Sequence, residues 1–260
     1  IITALIIFLI AYAKFIKYYL ILITFLFVYD CKMTNKLKNS RPDIQRVEFD
    51  ALYKLANQHK IDKEYVDAIE IYNKLISKQK DTSECVECAK LYEDVGDIYY
   101  ELKDFQHAFE FMQKALQIYA DNNLYDLQLD QYKKIGGLQQ GIWQFKKAID
   151  IFQQGLSLST RLGKMEKIIE FELLLGNVMN WAEQLEDAEK YLVSAIEKEK
   201  KINLPLIKLR AHVSYAILLR KMRKFDQAER FFKLGMKFSA ENNNAYLRDI
   251  TKSYGIMQFE

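Results

Sequence analysis

Small residues recur along this chain at a spacing of 40, and no other feature constrains its fold as strongly. One series is alanine throughout, and a second series of glycine and alanine runs ahead of it. The first series is Ala68, Ala108, Ala148, Ala188 and Ala228, and the second is Ala56, Gly96, Gly136, Gly176 and Ala216. Self-similarity at a period of about 20–50 residues is the sequence signature of repeat architectures.

Bulky residues flank each small residue at fixed distances, which predicts two helices per repeat. An aromatic residue or leucine stands three positions before each alanine of the first series, and a large residue stands four positions after it. Small residues let two helix backbones approach where they cross, and the bulky neighbours fill the space beside the crossing. Helix A should carry the first small residue of each repeat and helix B the second.

The ends of the B helices are predicted from residues that tolerate a left-handed backbone. These residues also lie 40 apart, and they are Asn123, Gly163, Asn203 and Asn243. Ser83 occupies the matching place in the first repeat and is a weaker stop signal. The composition agrees with a helical body, since the chain has only two prolines and is rich in good helix formers.

The repeated positions resemble the tetratricopeptide repeat (TPR), which has a small residue in helix A, an alanine near the start of helix B and an aromatic residue four positions later. The period of 40 resembles the longer TPRs of kinesin light chains and Pins-type polarity adaptors, and LLLGN at 173–177 resembles the Leu-Gly-Asn element of those adaptors. The chain departs from the pattern at Glu172, where a large apolar residue is usual. The resemblance implies an all-α, right-handed α-solenoid of helix-turn-helix repeats.

The repeats predict a domain organisation of five units plus a terminal half-unit. A hydrophobic segment and a polar linker precede them. The predicted boundaries are 1–32 for the segment, 33–44 for the linker, 45–260 for the solenoid, near 45–84, 85–124, 125–164, 165–204 and 205–244 for the repeats, and 245–260 for the partial sixth.

The hydrophobic segment allows three interpretations. It is long enough to cross a bilayer, since about 20 apolar residues suffice, and the basic residues after it would keep the repeats in the cytosol. It is also compatible with upstream sequence translated ahead of Met33, because the chain does not begin with methionine. A signal or targeting segment is the third interpretation.

Charge is distributed unevenly along the chain. Residues 41–199 carry 20 basic and 29 acidic side chains, whereas residues 200–239 carry 11 basic and 2 acidic ones. A nucleic-acid-binding protein would place a basic face along its whole binding surface, so we do not expect nucleic acid as a partner. Opposed charges favour a partner of mixed charge or self-association.

Peptide contacts are predicted on the A helices, which line the concave face in the resembled family. Residues six and three before the small residue, and one and four after it, form a stripe beside the packed face. The candidates are Asn57, Glu93, Asp97, Tyr100, Lys133, Gln140, Asn177, Asn180, Arg210 and Arg220. Asn177 matches the asparagine that binds a peptide backbone in the resembled adaptors, while Arg210 and Arg220 would face acidic peptide groups. A solvated helix face would also be polar.

Motifs for catalysis or cofactor binding are weak. Cys85 and Cys88 are half of a zinc or redox signature, but a structural zinc site takes four ligands, so we expect cysteines that pack within a helix. The glycine-rich stretch at 136–141 lacks the Lys-Ser/Thr of a phosphate loop, and RKMRK at 220–224 is expected to be a solvated turn. We predict no cofactor, no metal site and no enzymatic activity, since no nucleophile, base and orienting group stand together.

The sequence therefore predicts a non-catalytic scaffold or adaptor that binds a protein or peptide segment in its concave groove. One alternative is a TPR receptor held on a membrane by residues 1–29. Another is a structural subunit of a larger assembly that uses its edges and its apolar last helix. The predicted location is cytoplasmic, with the repeats on the cytosolic side of the membrane in the anchored case.

Overall fold

Ten α-helices make up the described part of the computed structural model, which comprises residues 44–79, 85–202 and 204–241. These ranges contain no strand, so the predicted all-α helical-repeat solenoid is confirmed. The chain divides into two compact units, Ile1–Ile71 and Tyr72–Glu260. The helices are α1 (Ile44–Ile61), α2 (Tyr65–Ser77), α3 (Val86–Glu101), α4 (Phe105–Asp121), α5 (Tyr125–Gly141), α6 (Phe145–Arg161), α7 (Met165–Trp181), α8 (Leu185–Glu199), α9 (Pro205–Lys221) and α10 (Phe225–Glu241).

The helices alternate between the two predicted types. Odd-numbered helices carry the first small residue of each repeat and are the A helices, and even-numbered helices are the B helices. Every B helix begins with an aromatic residue or leucine, at Tyr65, Phe105, Phe145, Leu185 and Phe225. In the second unit, consecutive helices from α3 to α10 pack on one another, and the A helices α5, α7 and α9 also contact each other in series.

The turn from helix A to helix B has one residue in the left-handed conformation. In the third repeat, the N–H of Trp143 donates to the carbonyl of Gln140 (3.0 Å) and the N–H of Gln144 to that of Gln139 (2.9 Å), which is the hydrogen-bond pattern of a Schellman motif. The residues with positive φ at this turn are Lys63, Lys103, Trp143, Glu183 and Arg223. This conformation costs a non-glycine residue roughly 1–2 kcal/mol, and the sequence analysis did not predict it.

The predicted stops of the B helices are confirmed where the structure describes them. Asn123 has a φ of 55° and Gly163 a φ of 66°, and both lie in the left-handed region immediately after a B helix. Asn203, Asn243 and Ser83 lie outside the described residues.

The small residues lie where the helices of a repeat cross. A Cβ built on Gly96 would lie 3.0 Å from Met112 Cγ, and one on Gly176 would lie 2.5 Å from Leu192 Cγ. At Gly136 the added atom would overlap the ring of Phe152, which has no exposed surface. The alanines of the two series are fully buried, and they are Ala56, Ala68, Ala108, Ala148, Ala188, Ala216 and Ala228. At these three glycines, the bulky residue of the B helix therefore occupies the space that the small residue leaves.

Glu172, which departs from the repeat pattern, is buried in an ion-paired cluster. Its side chain is 5% exposed, and Oε1 accepts hydrogen bonds from Lys198 Nζ (2.5 Å) and Ser194 Oγ (2.9 Å) of helix α8. A buried carboxylate is tolerated only when it is paired and hydrogen-bonded. Its partners lie 22 and 26 residues away in sequence, so the pairing depends on the crossing of α7 and α8.

The cysteine pair differs from its prediction as simple packing residues. Cys85 and Cys88 form a disulfide, and the N–H of Cys88 donates to Cys85 Sγ (3.1 Å) at the start of α3. The physical reason is the spacing of three, which brings a cap residue and a first-turn residue onto the same side of the helix. Cys88 does pack as expected, since it is fully buried beside Ala115 and Ile118.

Three predicted segments lie outside the described residues. They are the hydrophobic segment 1–32, nearly all of the linker 33–44 and the partial repeat 245–260. Among the helices that the structure does describe, none combines the length and the apolar character required to span a bilayer.

Replacing Gly136 with alanine should destabilise the third repeat. The new methyl group would overpack the crossing against Phe152, so the free energy of unfolding should fall by about 1–2 kcal/mol. Gly137→Ala is the matched control, because a Cβ there meets no atom within 4 Å and helix propensity should raise stability by about 0.8–1.0 kcal/mol. Denaturant unfolding measures both, and similar effects at the two positions would contradict the crossing assigned to Gly136.

Removing the ammonium partner of Glu172 should be more damaging than removing both charges. Lys198→Met leaves a buried carboxylate without its counter-charge, so the free energy of unfolding should fall by about 3 kcal/mol. The double variant Glu172→Leu/Lys198→Met should recover most of that loss, since well-packed apolar replacements of buried ion pairs are often neutral. A double variant less stable than Lys198→Met alone would refute this account.

Candidate functional site

An open cleft lies along helices α5, α7 and α9 of the second unit. Its volume is about 800 Å³, which is within the range of small-ligand sites. Helices α5 and α7 supply its amide-bearing side chains, and α9 with the turn after it supplies its cations. The lining residues are Gln140, Asn177, Asn180, Trp181, Ser214, Ile217, Arg220, Lys221, Arg223 and Phe225.

Asn180 is the most distinctive polar residue of the cleft. Its side chain is 8% exposed, yet its Oδ1 atom has no hydrogen-bond partner. A buried polar atom left without a partner costs roughly 1–3 kcal/mol. Asn180 is also one of the residues that line the cleft.

Lys221 holds the backbone beside this amide in place. Its Nζ donates to the carbonyl oxygen of Asn180 (2.6 Å) and pairs with Glu183 (2.7 Å). A cation at the last carbonyls of a helix is favourable because the C-terminal end of the helix dipole is negative. Lys221 is therefore paired with groups of the repeats themselves. Arg223 is exposed on the left-handed turn after α9.

A second, smaller cavity lies beside the cleft. It has a volume of about 320 Å³ and is lined by Gly137, Gln140, Gly141, Trp143, Phe145 and Trp181. Gln140 and Trp181 line both cavities. Trp143 and Trp181 are 72% and 58% exposed, and their ring centroids lie 6.2 Å apart in an edge-to-face arrangement.

Three of the predicted contact residues lie elsewhere on the A helices, in ion pairs between repeats. Lys134 Nζ lies 2.7 Å from Glu93 Oε1 and 3.0 Å from Asp97 Oδ1, so α5 is joined to α3. Lys133 Nζ lies 3.1 Å from Glu170 Oε2, which joins α5 to α7. Glu93, Asp97 and Lys133 are therefore neutralised by neighbouring repeats.

The ion pairs shift the pKa values of the groups that form them. Burial disfavours the charged form of Glu93, but hydrogen bonds and the positive charges of Lys134 and Lys90 outweigh burial and hold the pKa of Glu93 below its usual value. Burial likewise opposes ionisation of Asp130, and Lys167 and Lys133 overcome it and lower its pKa. Both carboxylates are stabilised in their charged forms by the folded state.

The remaining predicted residues are divided between the cleft and other positions. The cleft brings together Gln140, Asn177, Asn180 and Arg220. Asn57 belongs to the first unit, where its amide donates to the carbonyl of Tyr53 (3.0 Å). Tyr100 packs edge-on against Phe105 at the end of α3, and Arg210 is half-buried on α9 without lining the cleft.

The sequence analysis missed the aromatic residues of the site. Trp143 stands at the left-handed turn position, where the other repeats have lysine, glutamate or arginine. Trp181 is the last residue of α7, and the matching residues of other repeats are Ile61, Glu101, Gly141 and Lys221. Comparing the repeats position by position would have shown both tryptophans as departures from the pattern.

A cluster of ligand-type side chains also occurs in the first unit. His59, Glu64 and Asp67 place one donor atom each within 4.8 Å of the others, and His59 Nδ1 lies 2.5 Å from Glu64 Oε2. Both carboxylates are exposed, and a structural zinc site takes four ligands. The cluster is therefore a histidine–carboxylate contact at the first A–B turn.

Comparison with known proteins agrees with the repeat structure. The family model for the tetratricopeptide repeat matches residues 48–121. A solved structure of nearly identical TPR-like repeats from a putative kinesin light chain of Podosopora anserina has 13% identity and a TM-score of 0.63, covering 75% of this chain and 96% of that one. Residues 48–121 therefore match the tetratricopeptide repeat, and the chain has the fold of tetratricopeptide repeat proteins.

Two of the similar proteins are named as regulators. Response regulator aspartate phosphatase E of Bacillus subtilis (strain 168) is 23% identical over 197 residues, which is 75% of this chain and 52% of that protein. The Rap conjugation gene regulator of the plasmid pLS20, solved in complex with the Phr* peptide, has 19% identity and a TM-score of 0.54 and covers 78% of this chain and 56% of its own. The TPR chain spans about half the length of these relatives, and identities this low show the fold alone.

The lowered pKa values predict acid sensitivity of the TPR repeats. Because Glu93 and Asp130 have lower pKa values when folded than when unfolded, their contribution is present above the unfolded pKa and is lost as pH falls through the folded value. The free energy of unfolding should therefore decline below about pH 5. Denaturant titrations across pH measure this decline, and Lys134→Met should make it shallower. An unchanged slope in that variant would show that the pair Glu93–Lys134 does not contribute.

Proposed function

We propose that this TPR protein is an interaction module that binds an extended peptide segment in the cleft of α5, α7 and α9. The observation that carries the proposal is Asn180, a buried amide with an unpartnered oxygen on the wall of a cleft of about 800 Å³. A peptide backbone supplies N–H donors at regular intervals along its length. Asn177 and Gln140 add further amides to the same wall, and amides can pair with both the donors and the acceptors of a backbone.

The division of the A-helix face supports this location. The charged candidates Glu93, Asp97 and Lys133 already pair with other side chains, so a ligand there would have to compete with them. The amides of the cleft lie further toward the C-terminal ends of α5 and α7 than Lys133 and Glu170, which form the ion pair between these two helices. The similar Rap regulator is solved with a peptide, so a ligand of this kind is compatible with the fold.

We further propose that binding occurs without catalysis by this chain. A serine–lysine contact in the second unit joins Ser194 and Lys198 (2.5 Å), and both side chains donate to Glu172. An ammonium paired with a carboxylate cannot act as a general base. The phosphatase activity in the name of the Bacillus subtilis relative belongs to a protein of about twice the matched length.

Selection from a random dodecapeptide library on the immobilised full chain tests the proposal. Enriched peptides should bind in fluorescence-polarisation titrations, and Asn180→Ala and Asn177→Ala should each weaken binding about tenfold, which is the effect of losing about 1.4 kcal/mol. Asn73→Ala, on the exposed surface of α2, is the matched control and should leave affinity unchanged. Failure to enrich any peptide, or equal affinity for wild type and both cleft variants, would refute peptide binding at this site.

A further inference from the structure

The disulfide at the start of helix α3 joins a half-buried cysteine to a fully buried one. Cys85 is the half-buried residue and occupies the N-cap position of α3. Cys88 lies in the first turn and has no exposed surface, since it packs beside Ala115 and Ile118 of helix α4. Thiol–disulfide exchange requires that a thiolate reach the sulfur that it attacks. An external thiol or disulfide therefore meets Cys85 before Cys88.

The position of Cys85 favours a thiolate when the pair is reduced. The N–H of Cys88 donates to Cys85 Sγ (3.1 Å), so the sulfur itself accepts the cap hydrogen bond of the helix. The N-terminal end of a helix carries partial positive charge, and the backbone N–H groups there stabilise anions. Cysteines at helix N-termini and in Cys-X-X-Cys motifs are accordingly the reactive ones. Cys88 lies among apolar groups instead, which disfavour the charged form of a thiol.

A purely structural role explains this bridge poorly. The stabilisation that a disulfide gives grows with the length of chain that it closes into a loop. Cys85 and Cys88 are separated by three positions, so the bridge links a cap to its own first turn and joins no two helices. A metal role also lacks support, because among the described residues the two cysteines belong to no cluster of three or more metal-ligating side chains.

The repeat pattern does not require either cysteine. Each occupies a place where the following repeats have residues of other types. The matching residues are Tyr125, Met165 and Pro205 for Cys85, and Gln128, Ile168 and Lys208 for Cys88. The helices α5, α7 and α9 therefore begin without a sulfur at these positions, and the pair has a cause other than the stacking of repeats.

We propose that Cys85 and Cys88 form a reversible thiol–disulfide exchange site, whose co-reactants are low-molecular-weight disulfides and thiols of the glutathione type. In the oxidising direction, the Cys85 thiolate attacks one sulfur of the small disulfide. The S–S bond of that molecule breaks, one small thiolate leaves, and a mixed disulfide forms at Cys85. The Cys88 thiolate then attacks Cys85 Sγ, which releases the second small thiolate and forms the Cys85–Cys88 bond.

The exchange balances without any further reactant. The protein pair loses two electrons and two protons, and the small disulfide gains them and becomes two thiols. Reduction follows the same steps in reverse, with the external thiolate attacking at Cys85 and Cys88 leaving first. The site lies on α3 and does not depend on peptide binding in the cleft of α5, α7 and α9.

Equilibration of the full chain with glutathione buffers tests the reversibility. All proteins carry Cys31→Ser, since Cys31 is the third cysteine of the chain. Free thiols are alkylated after an acid quench and counted by mass spectrometry. The ratio of bridged to reduced protein should fall in inverse proportion to [GSH]²/[GSSG], as a two-electron exchange requires. A pair that stays fully bridged in about 10 mM reduced glutathione, or fully reduced in about 10 mM glutathione disulfide, would overturn the proposal.

Single-cysteine variants test the order of the two steps. Cys88→Ala keeps a small apolar residue at the buried position, and Cys85→Ser keeps a side chain suited to an N-cap, so both should retain the helical circular-dichroism spectrum. Glutathione disulfide should trap Cys88→Ala as the mixed disulfide at Cys85. Cys85→Ser should react at least about tenfold more slowly, because its remaining thiol is buried.

The same reactions in guanidinium chloride are the control, since the two variants should react at similar rates once the helices are unfolded. Equal rates in native buffer would overturn the proposal, because Cys85 would then have no advantage in the folded chain. A stable mixed disulfide as the final product of oxidation, with Cys85 and Cys88 both present, would also overturn it, because the second step would not occur.

Discussion

The close crossing of the two helices in each repeat is the contact on which the rest of the second unit depends. Gly136 lets α5 approach α6 until Phe152 fills the remaining space, and the same geometry recurs at intervals of 40 residues. Because interiors pack at crystal-like density, each crossing sets the angle and depth of its helix pair. Successive pairs are then aligned closely enough for the A helices α5, α7 and α9 to contact one another, and their outward residues form one continuous surface.

The polar side chains of that surface fall into two classes, those in ion pairs between repeats and the amides of the cleft. From α3 to α7, lysines bridge carboxylates of neighbouring repeats, as Lys134 does for Glu93 and Asp97. Near the C-terminal ends of α5 and α7 the cleft is lined instead by the amides of Gln140, Asn177 and Asn180, and Asn180 retains a buried oxygen without a partner. An ion-paired surface stabilises the stacking of repeats but offers little to a ligand. An amide-lined cleft stabilises the fold less and leaves hydrogen-bonding capacity for another molecule.

The repeat pattern alone was sufficient to predict the fold, because small residues and their bulky neighbours act locally and recur unchanged. It also predicted four residues of the cleft, since Gln140, Asn177, Asn180 and Arg220 follow from helical geometry once the packed face is known. It could not separate these four from Glu93 and Lys133, which occupy similar positions. Their partners come from other repeats, so only the three-dimensional packing shows which charges are neutralised. The pairing of Glu172 with Lys198 is of the same kind.

In a repeat protein, residues that depart from the repeat pattern are the first candidates for a functional role. A solenoid needs residues of similar size at equivalent crossing positions, so packing does not explain an unrepeated residue that makes no such contact. Gly137 weakens the interior of helix α5 without relieving any contact, and Trp143 exposes a large apolar surface at a strained turn. Gly141 is the last residue of α5, and a Cβ built there also meets no atom within 4 Å. All three residues line one cavity, which shares Gln140 and Trp181 with the larger cleft.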